Sequence, residues 1–458
     1  MQENLYLEDA SFILSDFDIQ KIEENIEQGH EEAVKIAVAS LNAPNCADLL
    51  EKVSEDNRQI ILNQHASAIA PDTYVELDPE LCKDVLEDME APQVAELISS
   101  LESDDALEVI ENLDADYQQE VIRKLPSKIR ISMEEGLRFP EYSAGRLLQR
   151  EFVAIPQSWT VAETIDSLKA TSENDIPEFF SDIFIITSDS QVSGKVPLSR
   201  LIRAGSQIKL DTLIQEEIYS VPALMDQEEV AQIFRRENLL SAAVVDSQEK
   251  MLGVITIDDI VDVIDEEAQE DILKLAGVKK PNIYRDVIST SRSRFGWLLI
   301  NLLTAILASI VISLFDATIQ QIVALAILMP IVASMGGNAG TQALTVAVRA
   351  LAMREVSNIN SSRVIWKETI VGILNGIAFA GIIGVITFFW FDNIELGVII
   401  AVAMIINLIV AGFFGAGIPI FLNRIGSDPA ISSTVLLTTV TDVIGFFVFL
   451  GLAAIFLI

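Results

Sequence analysis

The stretch from Pro330 to Gln342 combines small and polar residues in a pattern that suits a binding site or a pore. It reads Pro-Ile-Val-Ala-Ser-Met-Gly-Gly-Asn-Ala-Gly-Thr-Gln and sits in an uncharged run, 317–348, that is long enough to cross a bilayer. At membrane depth such a segment must pack against protein or line a water-filled cavity. Close packing of two helices, through Gly336 or Gly337 with Gly340, is the other interpretation.

Asp442 is the one charged residue inside the last apolar segment, in the sequence Thr-Thr-Val-Thr-Asp-Val that begins at Thr438. An ionised Asp at the bilayer centre costs roughly 2.5–3.5 kcal/mol on insertion scales, so it normally faces a pathway or a partner. A protonated Asp that hydrogen-bonds to a neighbouring helix is the simpler alternative. No Lys or Arg lies deep in an apolar segment, which leaves a cation as the natural partner. Carboxylate and carbonyl oxygens with retained water suit a hard cation such as Mg²⁺.

A second group of carboxylates precedes the apolar segments. The stretch 258–271 contains eight acidic residues and no basic one. On a helix, one face would carry Asp259, Asp262, Glu266 and Glu270. A solvated helical face is the usual interpretation of such a run, but like charges at this spacing repel each other. Divalent cations would relieve that repulsion.

Five apolar segments follow residue 290 and predict a membrane domain with five transmembrane helices. We place them at Phe295–Phe315, Ile319–Val348, Thr369–Phe391, Leu396–Leu422 and Ile431–Ile458. Lys and Arg occur before the first segment and in two of the four connections, at positions 292, 294, 349, 354, 363, 367 and 424. The positive-inside rule puts these sides in the cytoplasm, with the N-terminal half inside and the C-terminus outside.

Charge divides the chain in two. The 67 acidic residues outnumber 31 basic ones, and after residue 290 there are seven of each, so the whole excess lies in the first part. An acidic domain repels nucleic acid and attracts cations, although solubility alone explains much of such an excess. Cys46, Cys82, His30 and His65 lack the spacing of a disulfide framework or a zinc site. The N-terminus lacks a basic-then-apolar signal, in keeping with a cytoplasmic first half.

The acidic part divides again. Residues 40–135 read as short amphipathic helices that repeat about every dozen residues, which predicts a stacked helical superhelix. Residues 143–267 mix β and α patterns in two similar halves: Phe152-Val153-Ala154-Ile155-Pro156 echoes Ile218-Tyr219-Ser220-Val221-Pro222, and 182–186 echoes 242–246. We therefore predict a multidomain protein: an all-α N-domain (1–140), an α/β pair (141–265), a connecting helix (266–290) and an all-α polytopic membrane domain (291–458).

The α/β halves resemble a tandem pair of CBS domains. The whole chain resembles the MgtE family of bacterial Mg²⁺ channels or transporters over nearly its full length. The most specific tracts are Pro330–Gln342, Ser427-Asp428-Pro429-Ala430 and Thr439–Val443, and the tract Pro140–Leu147 supports the resemblance before the CBS pair.

The resemblance implies a homodimer with the pore between its subunits and a hydrated Mg²⁺ at Asp442. Thr438 would offer its carbonyl, and Gly337, Asn338 and Gly340 would line the pore. It also implies cytosolic Mg²⁺ sensing, in which bound Mg²⁺ holds the connecting helix as a plug. The matching sensor positions are Asp226, Glu228, Asp259, Asp262, Glu267, Glu270, Asp271 and Asp428, with Asp104, Asp105 and Glu108 in the N-domain.

The leading hypothesis is therefore Mg²⁺ uptake through a Mg²⁺-gated pore in the bacterial inner membrane, with a lipid bilayer and divalent cations as partners and no nucleic acid. Two alternatives stay open: transport of another divalent cation such as Co²⁺ or Mn²⁺, since an oxygen-only site does not distinguish them, and a divalent-cation sensor that transports nothing. CBS pairs often bind adenine nucleotides, which makes ATP a possible ligand, although no phosphate-cradling loop stands out. Because no nucleophile–base pair is visible either, an enzyme is not expected.

Overall fold

The computed structural model describes residues 13–171, 176–177, 179–214, 219–278, 284, 287–357 and 359–458. Contacts within the chain divide it into two compact units, Met1–Glu267 and Ala268–Ile458. Each unit is described by itself below. The division falls inside one helix, Ile257–Leu275.

Nine short helices open the first unit. They are α1 (Asp16–Glu27), α2 (Glu31–Ala39), α3 (Ala43–Lys52), α4 (Glu55–His65), α5 (Pro79–Glu87), α6 (Ala91–Ile98), α7 (Ser103–Glu111), α8 (Ala115–Lys124) and α9 (Ser127–Gly136). Each helix from α6 to α9 begins twelve residues after the one before. The predicted helical repeat is confirmed, with a sharper period than the sequence alone suggested.

Each repeat buries one narrow apolar stripe. In α6 the buried residues are Ala91, Val94, Ala95 and Ile98, which follow the i, i+3, i+4, i+7 spacing of one helical face. Side-chain caps mark several helix starts: the Asp78 carboxylate accepts from the Glu80 and Leu81 amides at the start of α5, for example. Stripes this small must stack on neighbouring helices, which explains why the repeats form one superhelix.

Two small mixed sheets follow. Strands β1 (Ala154–Pro156), β2 (Asp182–Ile186) and β3 (Val192–Pro197) form the first sheet, and β4 (Ser220–Pro222), β5 (Ser241–Val245) and β6 (Met251–Thr256) form the second. The helices between and after the strands are α10 (Val161–Ala170), α11 (Leu198–Arg203), α12 (Gln227–Glu237) and α13 (Ile257–Leu275). In both sheets the first two strands pair in parallel and the last two antiparallel.

The registers of the two sheets confirm the predicted internal repeat. Asp182 pairs with Pro197 in the first sheet, and Ser241 pairs with Thr256 in the second. The tract before the first half packs on the second half, since the Gly145 amide donates to the Ala223 carbonyl at 2.8 Å.

The second unit contains five helices that are long and apolar enough to span a membrane, as predicted. They are α14 (Val287–Ser313), α16 (Ala324–Ala352), α17 (Ser361–Phe391), α18 (Ile394–Arg424) and α19 (Pro429–Phe456), with a short helix α15 (Asp316–Gln321) between the first two. Helix α18 is the most buried of the five and packs against α16, α17 and α19, while α14 packs on α19.

Glycines set the spacing between α17 and α18. A Cβ at Gly412 would lie 2.5 Å from the Glu368 carbonyl oxygen, and one at Gly397 would lie 2.8 Å from that of Gly384. Backbones approach this closely only where both helices lack side chains, which is how small residues join helices in lipid.

Two predicted boundaries were wrong. The second apolar segment was placed at Ile319–Val348, but Ile322, at φ −129° and ψ 84°, separates α15 from α16. Neither Gly nor Pro marks this break, so the hydropathy pattern did not show it. The connecting helix was placed at 266–290, but its helical part belongs to α13, which begins at Ile257. Residues 279–283 and 285–286 of that predicted segment lie outside the described residues.

Candidate metal sites

Helix α16 places the polar residues of the glycine-rich stretch on one exposed face. Ser334, Asn338, Thr341 and Thr345 are all exposed and follow the spacing i, i+4, i+7, i+11. The Asn338 amide donates to the Ser334 hydroxyl at 3.4 Å, and Thr341 donates to the Gly337 carbonyl at 2.9 Å. A Cβ at Gly337 would meet nothing within 4 Å. We call this face, Ser334, Gly337, Asn338, Thr341 and Thr345, the α16 polar stripe.

The other glycines of the stretch lie on the buried face of α16. A Cβ at Gly340 would lie 2.9 Å from Leu437 of α19, and a Cβ at Gly415 of α18 would lie 2.7 Å from the Gly340 carbonyl oxygen. Packing and polar exposure, which the sequence offered as alternatives, are thus divided between the two faces of one helix. Gly337 and Asn338 belong to the exposed face, and Gly340 to the packed one.

Helix α19 presents a comparable face with Thr434, Thr438 and Asp442 at i, i+4, i+8. Asp442 is half-buried, and among the residues described it makes no hydrogen bond or ion pair. The Thr438 carbonyl accepts from the Thr441 hydroxyl at 3.1 Å. Inside α19 the same carbonyl also accepts from the backbone amide four residues on, so both of its lone pairs are used. The Thr438 hydroxyl, which donates to the Thr434 carbonyl at 3.0 Å, is the oxygen of this residue that can still contact a cation.

The start of α19 is bound to the end of α13 within the second unit. Asp428 caps α19 by accepting from the Ala430 amide at 2.8 Å, and it also accepts from Lys274 at 2.8 Å. Lys274 pairs with Glu270 at 2.9 Å as well. The Thr434 hydroxyl donates to the Leu275 carbonyl at 3.0 Å. In this arrangement one ammonium group pairs with both Asp428 and Glu270 and offsets part of their negative charge.

Asp271, another predicted sensor residue, lies beside this ion pair. Burial raises the pKa of its carboxyl group, and the neighbouring Asp428 carboxylate adds to the increase. Asp271 and Asp428 are therefore brought together, as the sensor prediction requires, but Lys274 partly offsets their repulsion.

In the first unit, the acidic start of α7 and the acidic face of α13 form one electrostatic cluster. Asp104, Asp105 and Glu108 of α7 interact with Asp259 and its neighbours on α13. Among the described residues, the main charged neighbours that shift these pKa values are other carboxylates. We call these carboxylates the α7–α13 acidic cluster; its members are Asp104, Asp105, Glu108, Asp258, Asp259, Asp262 and Glu266.

Burial is the main cause of the shifted pKa values in this cluster, and repulsion between the carboxylates adds to it. Together they raise the pKa of Asp105 to about 6 and the pKa values of Glu108 and Asp259 to about 7. The pKa of Asp104 is raised well above its ordinary value, with Asp259 as the strongest charged neighbour. The cluster therefore carries buried negative charge that a bound cation would stabilise.

The local structure fixes the start of α7. Ser103 donates its hydroxyl to Glu151 at 2.7 Å and accepts from the Arg150 amide at 2.7 Å. Glu102, which sequence reasoning did not include among the site residues, accepts from Gln149 and interacts with Glu151 and Asp258. Its position next to Ser103-Asp104-Asp105 is the signal that could have identified it.

The remaining predicted sensor residues have local partners. Asp226 caps α12 by accepting from the Glu228 amide at 2.9 Å, Glu228 accepts from Gln232 at 3.1 Å, and Glu267 accepts from Gln227 at 2.9 Å. Across the described ranges, no group of three or more His, Cys, Asp or Glu side chains is arranged to hold a metal ion. The acidic cluster is thus a concentration of charge and not a closed coordination shell.

A cleft of about 1120 Å³ lies between the two α/β halves. Its polar lining includes Lys195, Arg200, Tyr219 and Glu237. Pro197 and Thr256 occupy equivalent positions in the registers of the two sheets. Arg200 and Asp259 each follow three residues later, so Arg200 is the equivalent of Asp259 in the repeat. A cation thus replaces a carboxylate at this position of the repeat. The charged lining is balanced overall, since Asp182, which pairs with Lys195 at 2.8 Å, and Glu237 offset the two cations.

The raised pKa values predict an acid-stabilised cluster. Groups whose folded pKa exceeds the unfolded value bind protons more tightly when folded, so stability falls as pH rises from about 4 to about 7. With a chelator present, we expect the melting temperature of the full-length protein in detergent to fall between about pH 5 and about pH 8. The double variant Asp104→Asn/Asp259→Asn should show a smaller fall, and Asp116→Asn, on exposed α8, should match the parent. Equal pH dependence in the double variant and the parent would contradict this assignment.

Comparison with known proteins identifies the same three regions. Residues 329–452 match the MgtE divalent cation transporter family, 41–142 the MgtE intracellular N domain and 210–266 the CBS domain. The magnesium transporter MgtE of Enterococcus faecalis is 34% identical over 409 residues, which cover 89% of this chain and 90% of that protein. The magnesium transporter MgtE of Bacillus subtilis is 33% identical over 70% of this chain and 71% of its own length. The magnesium transporter MgtE of Thermus thermophilus is 30% identical over 73% and 74%.

Solved structures agree on the fold of the first part of the chain. A crystal structure of the cytosolic domain of the Mg²⁺ channel MgtE in complex with ATP superposes with a TM-score of 0.50 at 23% identity, covering 54% of this chain and 99% of that one. At that identity the likeness concerns the fold alone. The extent of the match to E. faecalis MgtE shows that this chain belongs to the MgtE family of magnesium transporters.

Proposed function

We propose that the chain forms a Mg²⁺ channel that admits Mg²⁺ into the bacterial cytoplasm and closes when cytosolic Mg²⁺ is high. The observation that carries this proposal is Asp442, a carboxylate on an apolar helix that has no partner among the described residues. A hydrated Mg²⁺ would supply the missing positive charge. Because Mg²⁺ gives up its water reluctantly, one carboxylate with nearby carbonyl and hydroxyl oxygens is a suitable site.

The proposed pathway needs a second copy of the chain. The α16 polar stripe is exposed in the single chain, and polar groups facing lipid are costly. A homodimer with the stripe at its interface would remove the stripe from lipid and place Gly337 and Asn338 beside water. In this arrangement Thr438 and Asp442 contact the ion, and Gly340 supports the pathway by allowing α16, α18 and α19 to approach closely.

Gating would follow from repulsion between carboxylates. Without Mg²⁺ the α7–α13 acidic cluster repels itself, which disfavours the docked arrangement of the two helices. With Mg²⁺ bound, docking is stabilised, and an ion that binds one state more tightly shifts the population toward it. Helix α13 ends at Leu275, whose carbonyl contacts Thr434 on the face of α19 that also carries Asp442. That contact gives the sensing helix a direct connection to the proposed pathway.

The orientation of the chain follows from its basic residues. Arg424 at the end of α18 donates to Ser361 at the start of α17 at 2.6 Å, so two of the basic connections lie at one end of the bundle. The positive-inside rule assigns this end to the cytoplasm. The acidic N-terminal domains are then cytoplasmic, and the C-terminus is external.

ATP is proposed as a second regulatory ligand, bound in the cleft between the CBS halves. Arg200 lines this cleft and uses an N–H on the Leu213 carbonyl at 3.1 Å, while the guanidinium group has five N–H donors in all. The cytosolic MgtE domain with a TM-score of 0.50 was solved with ATP, and the Arg200 guanidinium here offers a positive charge to a phosphate group.

The pathway proposal is tested by Mg²⁺ flux into liposomes that contain the purified protein. Asp442→Ala should lower Mg²⁺ flux by at least about a hundredfold, because a unit charge at about 4 Å is worth about 4 kcal/mol at an effective dielectric constant of 20. Asp316→Ala, which removes an exposed carboxylate from the same unit, should conduct like the parent. Unchanged flux in Asp442→Ala would refute the pathway.

The same assay separates the alternatives. A parent protein that passes Co²⁺ or Mn²⁺ but not Mg²⁺ would be a transporter of another divalent cation. A parent that passes none of these ions at any Mg²⁺ concentration would be a sensor without transport.

Sensing is tested by limited proteolysis of the full-length protein with and without millimolar Mg²⁺. The parent should become resistant as Mg²⁺ rises, because the ion relieves the repulsion in the cluster. The variant Asp259→Asn/Asp262→Asn/Glu267→Gln/Glu270→Gln should gain little protection from Mg²⁺, because neutralising Asp259 and Asp262 leaves less repulsion between α13 and α7 for the ion to relieve. A matched control neutralises four exposed acids elsewhere, Glu31, Glu32, Asp116 and Glu120. Protection by Mg²⁺ that persists in the first variant would exclude these residues as the sensor.

Nucleotide binding is tested by calorimetric titration of ATP into the detergent-solubilised protein. Arg200→Glu should weaken ATP binding by about tenfold or more, since hydrogen bonds to charged groups contribute roughly 1.5–3 kcal/mol. Arg203→Glu makes the same charge change on the same helix outside the cleft lining and should bind like the parent. Equal affinity in Arg200→Glu, or no binding by the parent, would refute this site.

A further inference from the structure

Asn407 is a buried polar side chain that the proposed pathway does not use. It lies on α18, is 0% exposed, and donates its Nδ2 to the Val332 carbonyl of α16 at 2.8 Å. Its Oδ1 is one of four buried side-chain oxygen or nitrogen atoms without a partner among the described residues. The opposite amide orientation would turn Oδ1 toward the Val332 oxygen, so the observed one is the orientation that forms a bond.

Both helices of the proposed pathway have a glycine where they meet this amide. A Cβ at Gly336 of α16 would overlap the Asn407 Nδ2, and a Cβ at Gly445 of α19 would lie 2.9 Å from it. The carboxamide therefore lies between the backbones of α16 and α19. Its size and its hydrogen bond to the Val332 carbonyl both affect the distance between these two helices.

The two glycines are close in sequence to the proposed pathway residues. Gly336 directly precedes Gly337 and Asn338, and Gly445 lies three residues after Asp442, less than one helical turn away. A change in the position of the Asn407 amide thus shifts the turns that carry Asn338 and Asp442.

We propose that Asn407 is a positioning residue that sets the spacing between α16 and α19 and thereby the fit of the pathway to hydrated Mg²⁺. The proposal rests on the Mg²⁺ pathway described above. Mg²⁺ demands near-ideal octahedral geometry at short distances, so a site with relaxed spacing should discriminate less well between Mg²⁺ and larger divalent ions. Asn407 acts through the two helices and does not touch the ion.

The test compares Asn407→Leu with the parent in liposome flux assays of Mg²⁺ and Co²⁺ over a range of concentrations. Leu keeps the approximate size but removes the hydrogen bond to Val332. We expect the half-saturating Mg²⁺ concentration to rise roughly tenfold, as for groups that orient metal ligands. The preference for Mg²⁺ over the larger Ca²⁺, measured in the same assay, should fall, whereas Co²⁺, which is close to Mg²⁺ in size, serves as a reference ion. Thr387→Val is the matched control, because Thr387 is also 0% exposed with an unpartnered hydroxyl but lies on α17. A purely structural role would lower the thermal stability of Asn407→Leu and leave its ion preference unchanged, as in Thr387→Val, which would overturn the proposal.

A second variant approaches the amide from α19. Gly445→Ala places a methyl group against Asn407 without removing any polar group, whereas Gly381→Ala adds the same methyl group where nothing lies within 4 Å. Gly445→Ala should reduce the preference for Mg²⁺ in the same direction as Asn407→Leu, and Gly381→Ala should not. Unchanged preference in Gly445→Ala would count against the proposal even where Asn407→Leu fails to fold.

Asp442→Ala, measured in parallel, distinguishes a failure of the Asn407 proposal from a failure of the pathway proposal. If it abolishes Mg²⁺ flux while Asn407→Leu and Gly445→Ala conduct with unchanged selectivity, the pathway stands and the role of Asn407 is refuted. If Asp442→Ala conducts like the parent, the pathway itself is wrong, and the role of Asn407 is refuted with it.

Discussion

A carboxylate inside an apolar bundle needs water or an opposite charge beside it, and this requirement shapes the second unit. No described side chain forms a hydrogen bond or an ion pair with Asp442. The rest of the bundle is consistent with a partner from outside the chain: α16 exposes a polar stripe, α19 presents threonines on the face of Asp442, and glycines draw α16, α18 and α19 together. These features together are the basis of the proposed ion pathway.

The first unit collects carboxylates on α7 and α13, whereas Asp442 is isolated on an apolar helix. Burial combined with mutual repulsion raises the pKa values of Asp105, Glu108 and Asp259. At the junction with α19, Lys274 pairs with both Asp428 and Glu270 and offsets part of their negative charge. The proposed Mg²⁺ sensing depends on the α7–α13 acidic cluster, and the ion pairs of Lys274 hold the end of α13 on the start of α19.

Sequence patterns predicted the order of domains, the helical repeat, the duplicated α/β halves and the five apolar helices, because each depends on local periodicity or composition. They did not show the break at Ile322, which neither Gly nor Pro marks, or the start of α13 at Ile257, which lies inside the predicted α/β pair. Nor did they divide Gly337 from Gly340, since helix rotation depends on neighbours such as Leu437 that are distant in sequence. Asn407 was missed for the same reason: its importance comes from glycines on two other helices.

The regular spacing of α5 to α9 has a consequence for how the N-domain can vary. Helices that begin every twelve residues stack as equal units. The position of a residue around the superhelix therefore depends on how many units precede it. Whole units can be gained or lost at the far end while neighbouring units keep their contacts. An insertion of any other length between α7 and the CBS halves would rotate Asp104 and Asp105 away from α13. The α7–α13 acidic cluster thus limits where the N-domain, which contributes Asp104, Asp105 and Glu108, can change in length.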